Sequence, residues 1–236
     1  MSKAVHERHA PGTGSLLRDL ILGGQDGLVN VLGVILAVAS ATNDAKIVIV
    51  AGLAATFAES ISMAAVGYTS SKAARDFYES EVEREKREMD EVPEVERGEI
   101  REIYKNKGFK GKTLDSIVKH ITSNKDLWLK TMMEEELRLF PDEWAHPWRN
   151  AAVIGFAAIV GSIVPLTPFF FAGVSTASAQ AVIVSTLALF ASGYAKTRLT
   201  LGNPWKGGLE MAAIGMLAAL AGYAIGAVLG VAVYAA

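Results

Sequence analysis

Long apolar stretches without charged residues constrain this chain of 236 residues more than any other feature of its sequence. The charged residues crowd between Lys72 and Arg149, and both flanks contain runs of about 20 apolar residues. A helix of that length, rising about 1.5 Å per residue, spans the roughly 30 Å hydrocarbon core of a bilayer. The sequence therefore predicts a membrane protein, and the formal net charge of −2 averages two very different parts.

Five segments are predicted to be transmembrane helices, which makes the expected fold an all-α, five-span bundle. They cover residues 20–41, 47–68, 151–171, 177–194 and 209–234. Small residues are frequent in these segments, as expected where helices associate by close packing inside a membrane. On the last helix Gly222, Gly226 and Gly230 lie four residues apart, a spacing that suits close packing within one subunit or a dimer seam.

The short connections between the predicted helices differ in their content of lysine and arginine, which predicts the orientation. One side carries Lys3, Arg8, Arg18, Lys72, Arg75, Lys196, Arg198 and Lys206. Of lysine and arginine, the opposite connections carry only Lys46. We therefore expect a cytosolic amino terminus, a cytosolic insert between the second and third helices, and a carboxyl terminus on the far side of the membrane.

The predicted organisation has four parts. They are a cytosolic tail (1–15), the first two transmembrane helices (16–72), a cytosolic helical metal-binding domain (73–147) and the last three transmembrane helices (148–236). Pro93, Gly108 and Pro141 are helix stops, so the insert should contain several helices. We expect the last of them to be capped by Ser123 and to run to Phe140.

Several functional classes lack support in the sequence. The chain has no cysteine, so thiolate metal sites and disulfides are excluded. Basic patches with interleaved aromatic residues, which would indicate nucleic-acid binding, do not occur. Neither a phosphate-binding P-loop nor a common hydrolase motif is present. We therefore expect a protein that is not an enzyme and holds no permanently bound cofactor.

Two acidic residues fall inside predicted spans, Asp26 in the first and Glu59 in the second. Acidic groups in a membrane are costly and normally face a partner or a pathway. Asn30 and Met63 follow them by four residues, on the same helix faces. These carboxylate, amide and thioether groups suit Fe²⁺ or Mn²⁺ at a transient site. Alternatively, Asp26 bonds the backbone at a glycine-rich irregularity, and Glu59 is a protonated packing residue.

The insert holds a second group of candidate ligands. Residues 76–100 contain eleven acids and four bases, and two i,i+3 pairs stand out among them. The candidate ligands are Glu85, Glu88, Glu96, Glu99, Met132, Met133 and Glu136. Carboxylates gathered from two helices repel one another, and bound divalent cations relieve that repulsion. The alternatives are that the charge run is a solvated face and that the methionine pair belongs to the core.

Several motifs, in their order along the chain, resemble the vacuolar iron transporter family. They are GQDGL at 24–28, ISMAA at 61–65, the two glutamate pairs around Pro93, Trp128, Met132-Met133, Glu136-Leu137 and VPLTPF at 164–169. The resemblance covers nearly the whole chain from about Leu16. It implies a homodimer of five-span subunits that exchanges cytosolic Fe²⁺ for protons, with Mn²⁺, Zn²⁺ and Co²⁺ as further candidate substrates.

The resemblance also assigns roles to residues. It implies that Asp26 and Met63 line a pathway at the dimer interface, and that the seven candidates in the insert bind metal. One position departs from the family, which has a glutamate where this chain has Ala55. Glu59 lies one helical turn further on, and we expect it to relay protons or metal instead.

The sequence leaves the membrane and the alternatives to transport open. We expect the plasma membrane if the chain is prokaryotic and the vacuolar membrane if it is eukaryotic. A membrane-anchored di-metal enzyme would normally pair Glu-x-x-His motifs, whereas both pairs here are Glu-x-x-Glu. A metal sensor would leave Asp26 and Glu59 without a purpose. Export of Fe²⁺ from the cytosol in exchange for protons is therefore the preferred hypothesis.

Overall fold

The structure, a computed structural model, describes residues 13–140, 146–199 and 202–234. Those residues form helices and connections, without a strand. The α-helices are α1 (Thr13–Thr42), α2 (Ala45–Glu91), α3 (Pro93–Asn106), α4 (Gly111–Thr122), α5 (Lys125–Thr131), α6 (Pro147–Leu166), α7 (Val174–Arg198) and α8 (Pro204–Tyr234). A π-helix (Met132–Glu136) follows α5, and a 3₁₀ turn (Thr167–Phe170) follows α6. Residues 1–12 of the predicted tail, and 141–145 of the predicted insert, lie outside the described residues.

The chain forms two compact units. One, which we call the membrane unit, comprises Met1–Thr69 and His146–Ala236, and the other, the insert unit, is Ser70–Ala145. Within the described residues, five helices are long and apolar enough to cross a membrane: α1, α2, α6, α7 and α8. The predicted all-α architecture with five candidate spans is confirmed.

Helix α1 is the central element of the membrane unit, because it packs against α6, α7 and α8. A Cβ added to Gly27 would lie 2.3 Å from the carbonyl oxygen of Ala158, and one added to Gly161 would lie 2.0 Å from that of Gly24. The glycines thus let the backbones of α1 and α6 touch. Because α1 continues through them as a regular helix, the alternative of a glycine-rich irregularity around Asp26 is wrong.

The glycine ridge of α8 packs against α1 of the same chain. A Cβ on Gly222 would lie 2.3 Å from the carbonyl oxygen of Gly33, and one on Gly226 would lie 2.0 Å from that of Ala37. For these two glycines, close packing within the subunit is therefore confirmed. The buried core beside them is formed chiefly by Val31, Leu32, Ile35, Leu36, Val48, Leu166 and Phe169.

The insert unit has an apolar core of its own. Its buried members are Met89, Ile100, Leu114, Val118, Ile121, Trp128 and Met132, from α2, α3, α4, α5 and the π-helix. Helix α4 is strongly amphipathic, and its buried face supplies three of these side chains. The insert unit therefore contains a hydrophobic nucleus that fixes its helices around one another.

Two details of the last predicted insert helix are wrong. The side chain of Asn124, rather than Ser123, caps α5 by accepting hydrogen bonds from the backbone N–H groups of Asp126 (2.9 Å) and Leu127 (3.0 Å). The helix also ends at Glu136 instead of Phe140. It closes in a π turn, in which the Leu137 N–H bonds the Met132 carbonyl at 3.2 Å.

Candidate metal sites

The two acidic residues predicted inside spans meet in the membrane unit. The carboxyl group of Glu59 on α2 lies beside the side chains of Asp26 and Asn30 on α1 and interacts with both. The three polar groups therefore form one cluster contributed by two spans. Met63 lies one turn after Glu59 on α2, so its thioether is at the next level of the same helix face.

The four candidates in this cluster are partly accessible in the single chain. Asp26, Glu59 and Met63 are half-buried, and Asn30 is exposed. Ala55, one turn before Glu59, packs against the apolar core of the membrane unit. In this chain the second-span carboxylate is thus beside Asp26, and the position one turn earlier is apolar.

Five carboxylates of the insert unit approach one another from three elements. They are Glu85 and Glu88 on α2, Glu96 and Glu99 on α3, and Glu136 on the π-helix. Helix α3 packs against the π-helix, and only Val92 separates it from α2. We call this group the acidic cluster. The structure therefore brings together all five acids that the sequence selected in the insert.

Two members of the acidic cluster are almost fully buried, since Glu85 is 2% and Glu96 is 3% exposed. Among the described residues, the Oε2 atom of each has no hydrogen-bond partner. Burial, followed by repulsion from Glu136, Glu88 and Glu99, raises the pKa of Glu85 to about 7. These are carboxylates that a proton or a cation stabilises.

Glu96 and Glu136 are affected in the same way. Burial, followed by repulsion from Glu99, Glu85, Glu88 and Glu136, raises the pKa of Glu96 to about 7. Burial also raises the pKa of Glu136, with Glu99 as the next contributor. The five carboxylates are therefore close enough for the charge of one to influence the protonation of the others.

The two methionines predicted as ligands are buried. Met133 is 2% exposed, and Met132 is fully buried in the apolar core of the insert unit. Within the described part of the chain, no three histidine, aspartate or glutamate side chains converge closely enough to hold a metal ion as they stand. Metal binding by the acidic cluster therefore requires its side chains to draw together around the cation.

Sequence reasoning missed two charged residues of interest. Asp19 on α1 is 2% exposed, and among the described residues its Oδ2 atom has no hydrogen-bond partner. Its position seven residues before Asp26, on nearly the same helix face, was the available signal. Arg84 lies within the acidic cluster, and its spacing of one and four residues from Glu85 and Glu88 was the signal there.

Comparison with known proteins gives a consistent result. The model of the VIT family matches residues 17–227. Vacuolar iron transporter 1 of Tulipa gesneriana is 35% identical over 220 residues, which cover 93% of this chain and 89% of that protein. Vacuolar iron transporter 2 of Oryza sativa subsp. japonica is 35% identical over 211 residues, covering 89% and 86%. Protein CCC1 of Saccharomyces cerevisiae is 32% identical over 213 residues, covering 86% and 66%.

Proposed function

The chain belongs to the VIT family, and from that premise we propose that it exports Fe²⁺ from the cytosol across a membrane in exchange for protons. It is a multi-pass membrane iron transporter rather than an enzyme. The exchange with protons, the direction and the residues involved are the content of the proposal. Mn²⁺, Zn²⁺ and Co²⁺, which accept similar oxygen and thioether ligands, are its further candidate substrates.

The observation that carries the proposal is the contact between Glu59 and the pair Asp26 and Asn30. Acids on two separate spans meet although each is costly to bury in a membrane. Two neighbouring carboxyl groups can hold either a shared proton or a shared cation between them. This arrangement supports alternate occupation by Fe²⁺ and H⁺, with Met63 as a softer ligand one turn away.

The insert unit would capture the ion before it enters the membrane. Carboxylates bind metal only when deprotonated, so loading the acidic cluster releases protons. Because the pKa values of Glu85 and Glu96 are raised to about 7, this release falls near neutral pH. Metal capture and proton exchange would thus be linked by the ligands themselves.

A homodimer is part of the proposal. Helix α2 presents large apolar side chains outward, including Val50, Phe57 and Ile61, which are 68%, 58% and 69% exposed. The half-buried groups Glu59 and Met63 lie on the same helix. A second copy packed on α2 would enclose these polar groups between two subunits, where the resemblance to the family implies a pathway. Lipid tails would solvate the apolar side chains favourably, but they would not solvate the carboxylate of Glu59.

The proposed orientation has a cytosolic amino terminus and a cytosolic insert unit, with the carboxyl terminus on the far side. Two aromatic groups support it, because tyrosine and tryptophan concentrate at membrane–water interfaces. Tyr68 packs on Trp148 with ring centroids 4.6 Å apart, and Trp205 packs on Phe190 and Tyr194 at 5.6 and 5.7 Å. Both groups lie beside the basic residues that predicted the cytosolic side. The membrane would be the vacuolar one in a eukaryote and the plasma membrane in a prokaryote.

Metal flux into sealed proteoliposomes tests the proposal. Purified protein with outward-facing inserts should accumulate Fe²⁺ in vesicles that are acidic inside, with internal alkalinisation as protons leave. Accumulation that ignores the pH gradient would contradict proton exchange, and the absence of flux would contradict transport. A di-metal oxidase, which is not favoured, would instead consume oxygen upon Fe²⁺ addition without internal accumulation.

A further inference from the structure

Arg84 lies in the middle of the acids of α2. Its Nη1 atom is 3.0 Å from Oε2 of Glu81, its Nη2 atom is 3.9 Å from Oε1 of Glu85, and its Nε atom is 3.7 Å from Oε2 of Glu88. Each nitrogen of the guanidinium group therefore faces a different carboxylate. The four residues occupy positions i, i+3, i+4 and i+7, which share one face of a helix.

The charge of Arg84 acts beyond its own helix. It opposes the rise in pKa of Glu85 on α2, and it does the same for Glu136 on the π-helix. Acids from two separate elements therefore interact with the same guanidinium group. Arg75, on the same helix, pairs with Glu79 four residues on, in the manner of exposed surface pairs.

The Arg84 side chain is suited to bind carboxylates and is also partly exposed to solvent. A guanidinium group presents several donors in a fixed fork that suits carboxylates, and its charge persists at every physiological pH. The side chain is 46% exposed, so it can swing into solvent without leaving a buried charge behind. The buried carboxylates of Glu85 and Glu96 have no such freedom.

We propose that Arg84 is an internal counter-cation of the acidic cluster, which holds the carboxylates in the metal-free state and which an entering Fe²⁺ ion displaces. The proposal rests on the proposed role of the insert unit in binding metal. The cluster carboxylates of Glu85 and Glu88 lie 3.9 and 3.7 Å from nitrogen atoms of Arg84, whereas bonds between oxygen and divalent cations are typically about 2.0–2.6 Å long. Metal and Arg84 therefore compete for the same oxygen atoms, which weakens binding and favours release of the ion to the membrane unit.

Calorimetric titration of the full-length protein with Fe²⁺ alone, under anaerobic conditions at pH 7.5, tests this competition. Arg84→Gln should bind Fe²⁺ about tenfold more tightly at unchanged stoichiometry, because one nearby positive charge is lost. Arg84→Ala should behave in the same way, and Arg84→Lys, which keeps the charge, should remain close to wild type. Arg75→Gln is the matched control, since it removes an equal charge from the same helix away from the cluster.

The direction of the change separates competition from a structural role. If Arg84 merely maintained the fold, both truncations would weaken binding or lower its stoichiometry. Equal or weaker affinity in Arg84→Gln and Arg84→Ala would therefore overturn the proposal while leaving the insert unit a metal-binding unit. If the titration is unchanged after Glu85, Glu88, Glu96 and Glu99 are replaced by Gln, these acids do not bind Fe²⁺. That result would overturn this proposal and the proposed capture of metal by the insert unit, whereas transport itself is tested by the flux assay.

Discussion

The membrane unit and the insert unit use acidic residues in opposite ways. In the membrane unit, Asp26 and Glu59 meet within two apolar helices, beside a single amide, Asn30. In the insert unit, five carboxylates lie close enough to repel one another, and two of them, Glu85 and Glu88, face Arg84. Few other groups in the membrane unit could take over the role of Asp26 or Glu59. In the insert unit, by contrast, the loss of one carboxylate leaves four similar carboxylates in the acidic cluster.

This difference predicts how each region responds to mutation. The loss of one ligand from a small cluster removes the function of that cluster, and no neighbouring residue replaces it. The loss of one ligand from a large cluster lowers affinity and leaves the remaining groups in place. Single changes should therefore affect the membrane unit severely, and the insert unit should need several changes at once.

The largest expected effect is that of Asp26→Asn. The amide keeps the volume of the side chain but removes the carboxylate that contacts Glu59, so Fe²⁺ flux into proteoliposomes should fall at least about 100-fold, equivalent to about 2.7 kcal/mol. Fe²⁺ binding by the insert unit, measured by calorimetry, should stay unchanged. Asp44→Asn is the matched control, because Asp44 is exposed and an asparagine there can still accept the Lys46 N–H bond. Wild-type flux in Asp26→Asn would remove Asp26 from the pathway.

A smaller loss is expected for Glu59→Gln. The amide can still bond Asp26 but cannot carry a proton or contribute a charge, so flux driven by a pH gradient should fall about tenfold. Adding Ala55→Glu to this variant should restore only part of the flux, because Ala55 packs against the apolar core. Glu210→Gln on α8, where Glu210 is exposed, is the control. Normal gradient-driven transport by Glu59→Gln would mean that Glu59 is a packing residue.

Replacing four acids of the insert should slow transport without stopping it. Glu85, Glu88, Glu96 and Glu99 changed together to Gln should remove most Fe²⁺ binding by the insert unit and lower flux several-fold, because the pathway itself is retained. The matched control changes four exposed acids on the same two helices to Gln, namely Glu83, Glu91, Glu94 and Glu102. Equal binding by both quadruple variants would make the acidic cluster an ordinary solvated surface.

The sequence predicted best those features that depend on residues close together in the chain, namely the spans and the ends of helices. Apolar runs identified five spans, and helix stops such as Pro93 identified the start of α3. It could not establish that Glu59 meets Asp26, because that contact depends on how two helices pack. The cap at Asn124 was also missed, since Ser123 and Asn124 are both good cap residues and only the backbone geometry selects between them.

A pair of identical substitutions compares how tightly the two units are packed. Gly161→Ala would place a methyl group 2.0 Å from a backbone oxygen of α1, whereas nothing lies within 4 Å of a Cβ at Gly98 on α3. Hydrogen exchange should therefore become faster in α1 and α6 for the first variant. In the second, exchange in α3 should slow by about two- to fivefold, because alanine stabilises a helix by roughly 0.5–1 kcal/mol over glycine. Faster exchange in both variants would contradict the loose packing inferred at Gly98.

A further expected effect concerns the pH dependence of the metal-free insert unit. The pKa values of Glu85 and Glu96 rise from 4.5 in ordinary surroundings to about 7 in the folded protein. Between these values the folded state binds more protons than the unfolded state, so the free energy of unfolding should decrease as pH rises from about 5 to 7. Hydrogen exchange of α3 and the end of α2 in full-length protein should report a more stable insert unit at pH 5.5 than at pH 8, after correction for the intrinsic exchange rate.

Fe²⁺ should restore protection of the insert unit against hydrogen exchange at pH 8, where the deprotonated carboxylates bind it. In Glu85→Gln with Glu96→Gln, both the pH dependence and the protection by Fe²⁺ should diminish. Stability that increases with pH in the metal-free wild type would show that attraction to Arg84 outweighs burial and mutual repulsion of the acids.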